Sequence, residues 1–160
     1  MKTHDLRSLQ ALRQLREQRA ASQLVAQQQR VQQTHVVLDE AKERLRLHRE
    51  NIAREAQKIY ASLTEGLSVA SWQAAQERLR EMSDSQEVLE GGVSDVIETL
   101  ETQEQERDVF RQARLSRQRQ SDAWQTLLDR RERTEQRASE HREDSDEGLA
   151  TRSPSGGGGT

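Results

Sequence analysis

The 160-residue sequence contains no cysteine, so it has no disulfide framework, no thiol nucleophile and no cysteine metal site. Proline occurs once, at Pro154, and the eight glycines stand at 66, 91, 92, 148 and 156–159. From Asp5 to Asp144 the chain is therefore almost free of helix breakers. Aromatic residues are down to two Trp, one Tyr and one Phe, and hydrophobic residues make up only 31%. A globular domain of this length carries nearer half. Several layers wrapped around one core are excluded. No apolar run approaches the roughly 20 residues that span a bilayer, and Met1-Lys2-Thr3-His4-Asp5 opens unlike a signal peptide. An excess of one charge is missing too: 25 basic residues nearly cancel 28 acidic ones, which argues against wholesale disorder. A soluble, cytoplasmic protein without membrane insertion is expected.

What the chain does have is Arg, Gln, Glu, Leu and Ala, all good helix formers. One apolar position recurs every seven residues as Leu24, Val31, Leu38, Leu45, Ile52 and Ile59. Such a repeat implies a left-handed supercoil with a partner helix. Its companion is weak, since neither the set at +3 (Gln27, Thr34, Ala41, His48, Glu55, Ser62) nor that at +4 is consistently apolar. A second segment is fuller: Trp72, Leu79, Gln86, Val93 and Leu100 at one seam position, Ala75, Met82, Leu89 and Val96 at the other. The register passes Gly91 and Gly92 without a shift and puts both on outward positions. Beyond Leu100 the seam turns polar through Gln103, Arg107, Arg114 and Arg117, then recovers at Trp124, Leu127 and Leu128.

Thr64-Glu65-Gly66-Leu67-Ser68 reads as a turn, with Gly66 able to take the left-handed conformation and Ser68 or Ser71 able to cap the next helix. A turn centred near residue 67 pairs residues whose numbers sum to about 134. Leu38 then falls near Val96, Leu45 near Leu89, Leu24 near Phe110, and Leu6 and Leu9 beside Leu128 and Trp124. Charge agrees with this pairing. Residues 1–63 hold 12 basic and 7 acidic residues, whereas 64–144 hold 12 and 19. Opposite arms attract. The expected fold is all-α: a long two-helix antiparallel coiled-coil hairpin over 1–144, closed as a monomer. Its arms run over about 5–63 and 71–144 and its turn over 64–70, and an arm of roughly 60 residues is about 90 Å long. Residues 145–160 are expected to be a disordered tail.

Chemistry finds little footing here. A two-helix rod offers no concave, dry site, and His4, His35, His48 and His141 form no His-x-x-x-His pair. No catalysis, cofactor or metal is expected. Arg107, Arg111, Arg114, Arg117 and Arg119 form the one concentrated basic patch, but no aromatics interleave for base stacking, so nucleic acid is not expected as a partner. Trp72 and Trp124 either seal the ends of the hairpin or dock into other proteins, where Trp is a favoured anchor.

A Cys-free, Arg/Gln/Glu-rich hairpin of this size resembles the stalk proteins of bacterial type III secretion, the YscO/FliJ family. The likeness covers about residues 5–144 and rests on Leu6, Leu9, Leu12 and Leu15, the heptads from Leu24 to Ile59, the midpoint break and the seam from Trp72. The resemblance implies a non-catalytic stalk, cytoplasmic and peripheral to the inner-membrane export apparatus. Such a stalk docks in the hexameric secretion ATPase and links it to the export gate, and some members bind export chaperones. By the same resemblance, Trp72, Gln76, Leu79 and Ser83 face the gate, and Leu6, Leu9, Trp124, Leu127 and Leu128 face the ATPase. The alternatives are a structural or adaptor coiled coil, including a homodimer, and a chaperone-binding escort protein.

Overall fold

The computed structural model describes residues 2–151. Two helices account for nearly all of them: α1, Thr3–Glu65, and α2, Val69–Ala150. They pack against each other as a helical hairpin, and no strand occurs among the described residues. The link between them is three residues long, shorter than the seven expected. Gly66 takes φ +92°, which closes α1, and the Ser68 hydroxyl accepts the Ser71 N–H at 3.2 Å to cap α2. With both jobs done within three residues, Gly66 to Ser68, the helices run nearly to the turn.

α2 also runs further than expected at its other end. Residues 145–150, anticipated as the start of a disordered tail, continue the helix to Ala150. The Ser145 hydroxyl donates to the His141 carbonyl, and the Thr151 N–H bonds back to Glu147. A lone Gly148 costs about 1 kcal/mol, too little to stop a long helix. The remainder of the expected tail, 152–160, lies outside the described residues.

The contacts divide the chain into two units. The turn unit is Gln23–Arg111; the terminal unit takes the residues up to Ser22 and those from Gln112 onward. In the turn unit the heptad positions of α1 point inward as the spacing predicts. Leu24, Val31, Leu38 and Leu45 are buried, with Ile52 and Ile59 half-buried. Val31, Leu38 and Leu100 form a core cluster against which Val93 and Val96 pack. Gly91 and Gly92 sit inside α2, exposed.

The companion seam position is the +3 set. Gln27 is buried at 2% exposure, and Thr34, Ala41, His48, Glu55 and Ser62 are all half-buried, whereas the whole +4 set is exposed. What looked like half a seam is a complete one with polar and small residues on its second row. Hydrogen bonding explains why they are tolerated inside. Gln27 donates to the Gln103 carbonyl at 3.0 Å and to Glu106 Oε2 at 3.1 Å, and Thr34 donates to Gln103 Oε1 at 2.5 Å. His48 Nε2 lies 2.7 Å from the Met82 carbonyl, and Glu55 pairs with Arg78 at 3.2 Å.

The terminal unit repeats the pattern. Leu6, Gln10, Ala20, Ser121 and Leu128 are buried, and Arg13, Glu17 and Trp124 are half-buried. Gln10 Nε2 reaches the Ser121 carbonyl at 3.2 Å and Gln125 Oε1 at 3.1 Å. Every residue of α2 from Gln112 to Gln120 is exposed, as the arginines at seam positions Arg114 and Arg117 require.

Candidate interaction surfaces

Within each unit, ion pairs join the two helices beside the seam. In the turn unit Arg49 meets Glu90 at 3.0 Å and His35 faces Glu104 at 3.5 Å. In the terminal unit Arg7 meets Glu132 at 2.9 Å. Positions 7, 35 and 49 differ by multiples of seven, as do 90, 104 and 132. They are therefore one heptad position on each helix, facing its counterpart across an antiparallel pair. Charges beside the seam set partner choice and orientation. The Gln86 amide, 2.8 Å away, and then Arg49 hold the Glu90 carboxyl below the usual carboxylate range. The Thr3 hydroxyl and then Arg131 do the same for Glu135. The sequence showed the charge imbalance between arms; the pairing needed the register and the heptad phase together.

On the turn side, Trp72, Gln76, Leu79 and Ser83 follow one another at spacings of four, three and four, so they share one helix face. The Trp72 side chain is 37% exposed, Gln76 and Ser83 are exposed, and Leu79 is half-buried toward the seam. The Trp72 N–H bonds to the Ser68 carbonyl at 3.0 Å, so this Trp stands in the first turn of α2. Beside it, Ile59, Leu67, Ala75 and Arg78 line an open groove of about 380 Å³.

In the terminal unit the five residues expected to face a partner separate into two groups. Leu6 and Leu128 are buried at 9% and 8%, so their apolar surface is spent on the hairpin itself. Leu9 and Leu127 are 36% and 51% exposed and remain available. Trp124 is half-buried with the Arg13 guanidinium 4.5 Å from its ring centre, a cation–π contact. The residue found over this ring is thus Arg13, one turn beyond the Leu9 that simple register placed beside it. Leu12 and Leu15, also exposed, extend the Leu9 surface along α1.

Among the described residues, no group of three or more His, Cys, Asp or Glu is placed to hold a metal ion, and no helix is long and apolar enough to cross a membrane. The grooves along the helix pair are open ones lined from both helices or from one. No protein-family model, no curated protein and no solved structure matches this chain.

Proposed function

We propose that this chain is a non-catalytic coiled-coil stalk of a type III secretion export apparatus, working in the cytoplasm at the inner-membrane export machinery. It docks through the terminal unit into a hexameric secretion ATPase and through the turn side into the export gate; export chaperones are further partners. The observation that carries this reading is the closure of the seam within one chain. A hairpin whose apolar heptads are already used on each other is a mechanical element, with only its surplus surface left for partners. That surplus is Trp72 with Gln76 in the turn unit, and Leu9 and Leu127 with the half-buried Trp124 in the terminal unit. The resemblance to the YscO/FliJ stalks in size, composition and the break between two long helices supports the choice of machine.

The test is capture of both partners by purified protein. Trp124→Ala is expected to weaken ATPase capture and Trp72→Ala to weaken gate capture, with helicity checked by circular dichroism for each. Truncating a packed Trp costs up to about 3–5 kcal/mol, so the helicity check decides whether binding itself was lost. Unchanged capture by both folded variants would leave the adaptor coiled coil as the better reading.

A further inference from the structure

The row of ion pairs beside the seam is discontinuous in the turn unit: Lys42 stands opposite Ile97, and a further position without an ion pair lies one heptad from His35 and Glu104. One heptad beyond Glu104 on α2 stands Arg111, and one heptad before His35 on α1 stands Gln28. At these positions the register sets an arginine against a neutral amide rather than an acid. An open groove of about 450 Å³ lies at this place. Its walls are Gln28, Gln29, Gln32, His35, Arg107 and Arg111, with two valines, and no carboxylate is among them. Arg107 occupies a seam position, and its Nε is buried without a hydrogen-bond partner. Its ion contact is its own neighbour Asp108, at a long 3.4 Å. Arg111 has no ion-pair partner among the described residues, while the His35 Nε2 is engaged by Glu104.

We infer that this groove binds a phosphate-type oxyanion. Each guanidinium offers five N–H donors in a planar fork, and the three glutamines add side-chain amide donors. A carboxylate brings two oxygens and one charge, too few for the guanidiniums of both Arg107 and Arg111. A tetrahedral dianion brings more acceptor oxygens and a second charge, which matches the donor set.

The experiment titrates the full chain, labelled with ¹⁵N, with inorganic phosphate at fixed ionic strength. Backbone amides of 28–35 and 107–111 and the arginine Nε–H signals report binding. Saturable shifts confined to these signals are expected, weakened about tenfold by Arg111→Gln, the loss of one charge-assisted contact. Arg107→Gln should do the same; because it touches the seam, its helicity is compared with the parent, and the exposed Arg111 carries the test if it unfolds. Arg114→Gln, outside the groove, should leave the titration unchanged. Absence of saturation, or equal weakening by Arg114→Gln, overturns the site in favour of diffuse surface charge. Acetate titrated alongside distinguishes the chemistry: binding as tight as phosphate would show a carboxylate site and overturn the assignment.

Discussion

The side-chain amide of Gln27 donates to the backbone carbonyl of Gln103 at 3.0 Å from a position that is only 2% exposed. A polar residue inside a two-helix seam is satisfied in one register only, because its acceptor is a fixed main-chain atom. Sliding α2 by one residue would leave the amide buried and unpaired, a loss of about 1–3 kcal/mol. Gln27→Ala is therefore expected to lower stability by about 1–2 kcal/mol in thermal denaturation. Gln27→Leu should behave differently, holding or raising the melting temperature while weakening register, as apolar replacements of buried polar seam residues do. Spin labels on the exposed pair Arg49 and Glu90 read the register: a broadened distance distribution in Gln27→Leu checks the prediction, and an unchanged one rejects it.

The two glycines inside α2 supply a second test. An added Cβ at Gly91 or Gly92 meets no atom within 4 Å, so alanine gains helix propensity without a clash. Each substitution should raise stability by about 1 kcal/mol. Gly66 is the opposite case despite equally open space around it, because φ is +92° there. Gly66→Ala should cost about 1–2 kcal/mol, and the contrast in melting temperature between the three variants is the measurement.

Acid should weaken the hairpin, and the sign follows from two carboxylates. Glu90 is held low by the Gln86 amide first and by Arg49 second, and Glu135 by the Thr3 hydroxyl first and Arg131 second. A folded-state pKa below the unfolded value of about 4.3 contributes stability above that pH and loses it as pH falls through the folded value. The melting temperature should be flat above about pH 5 and fall below about pH 4. Glu90→Gln should flatten part of that fall; an unchanged acid limb would remove Glu90 from the account.

Much of this was legible in the sequence, for a physical reason. The six-fold repeat from Leu24 to Ile59, the seam from Trp72 to Leu100 and Gly66 between them specify an antiparallel pairing once one turn is assumed. Val93 and Val96 of α2 pack against the cluster of Val31, Leu38 and Leu100. The second row of α1 was not legible, because Gln27, Thr34 and His48 read as surface residues until their partners across the seam are known. The Leu6 and Leu9 pair shows the same limit at the candidate site. Both are leucines near one end, and only three-dimensional burial reveals that one is structural and the other free. The end of α2 was misjudged because composition near Gly148 suggested a tail, whereas helix propagation needs only that no strong breaker intervene.

That separation of leucines gives the last prediction. Leu6 and Leu128 are buried in the terminal unit, and truncating either to Ala should cost about 2 kcal/mol and loosen that unit. Leu9 and Leu127 are exposed enough that Leu9→Ser and Leu127→Ser should change stability by no more than about 0.5 kcal/mol. If the terminal unit docks in an ATPase ring through its surplus apolar surface, the stable serine variants should lose capture of the ATPase. Hydrogen exchange on the terminal unit, measured beside capture, keeps the two effects apart. Serine variants that bind normally, together with loss of binding only in the loosened Leu6→Ala and Leu128→Ala proteins, would mean that the ATPase reads the folded end as a whole. Leu9 and Leu127 would then drop out of the docking surface, and Trp124 with its covering Arg13 would be the place to look next.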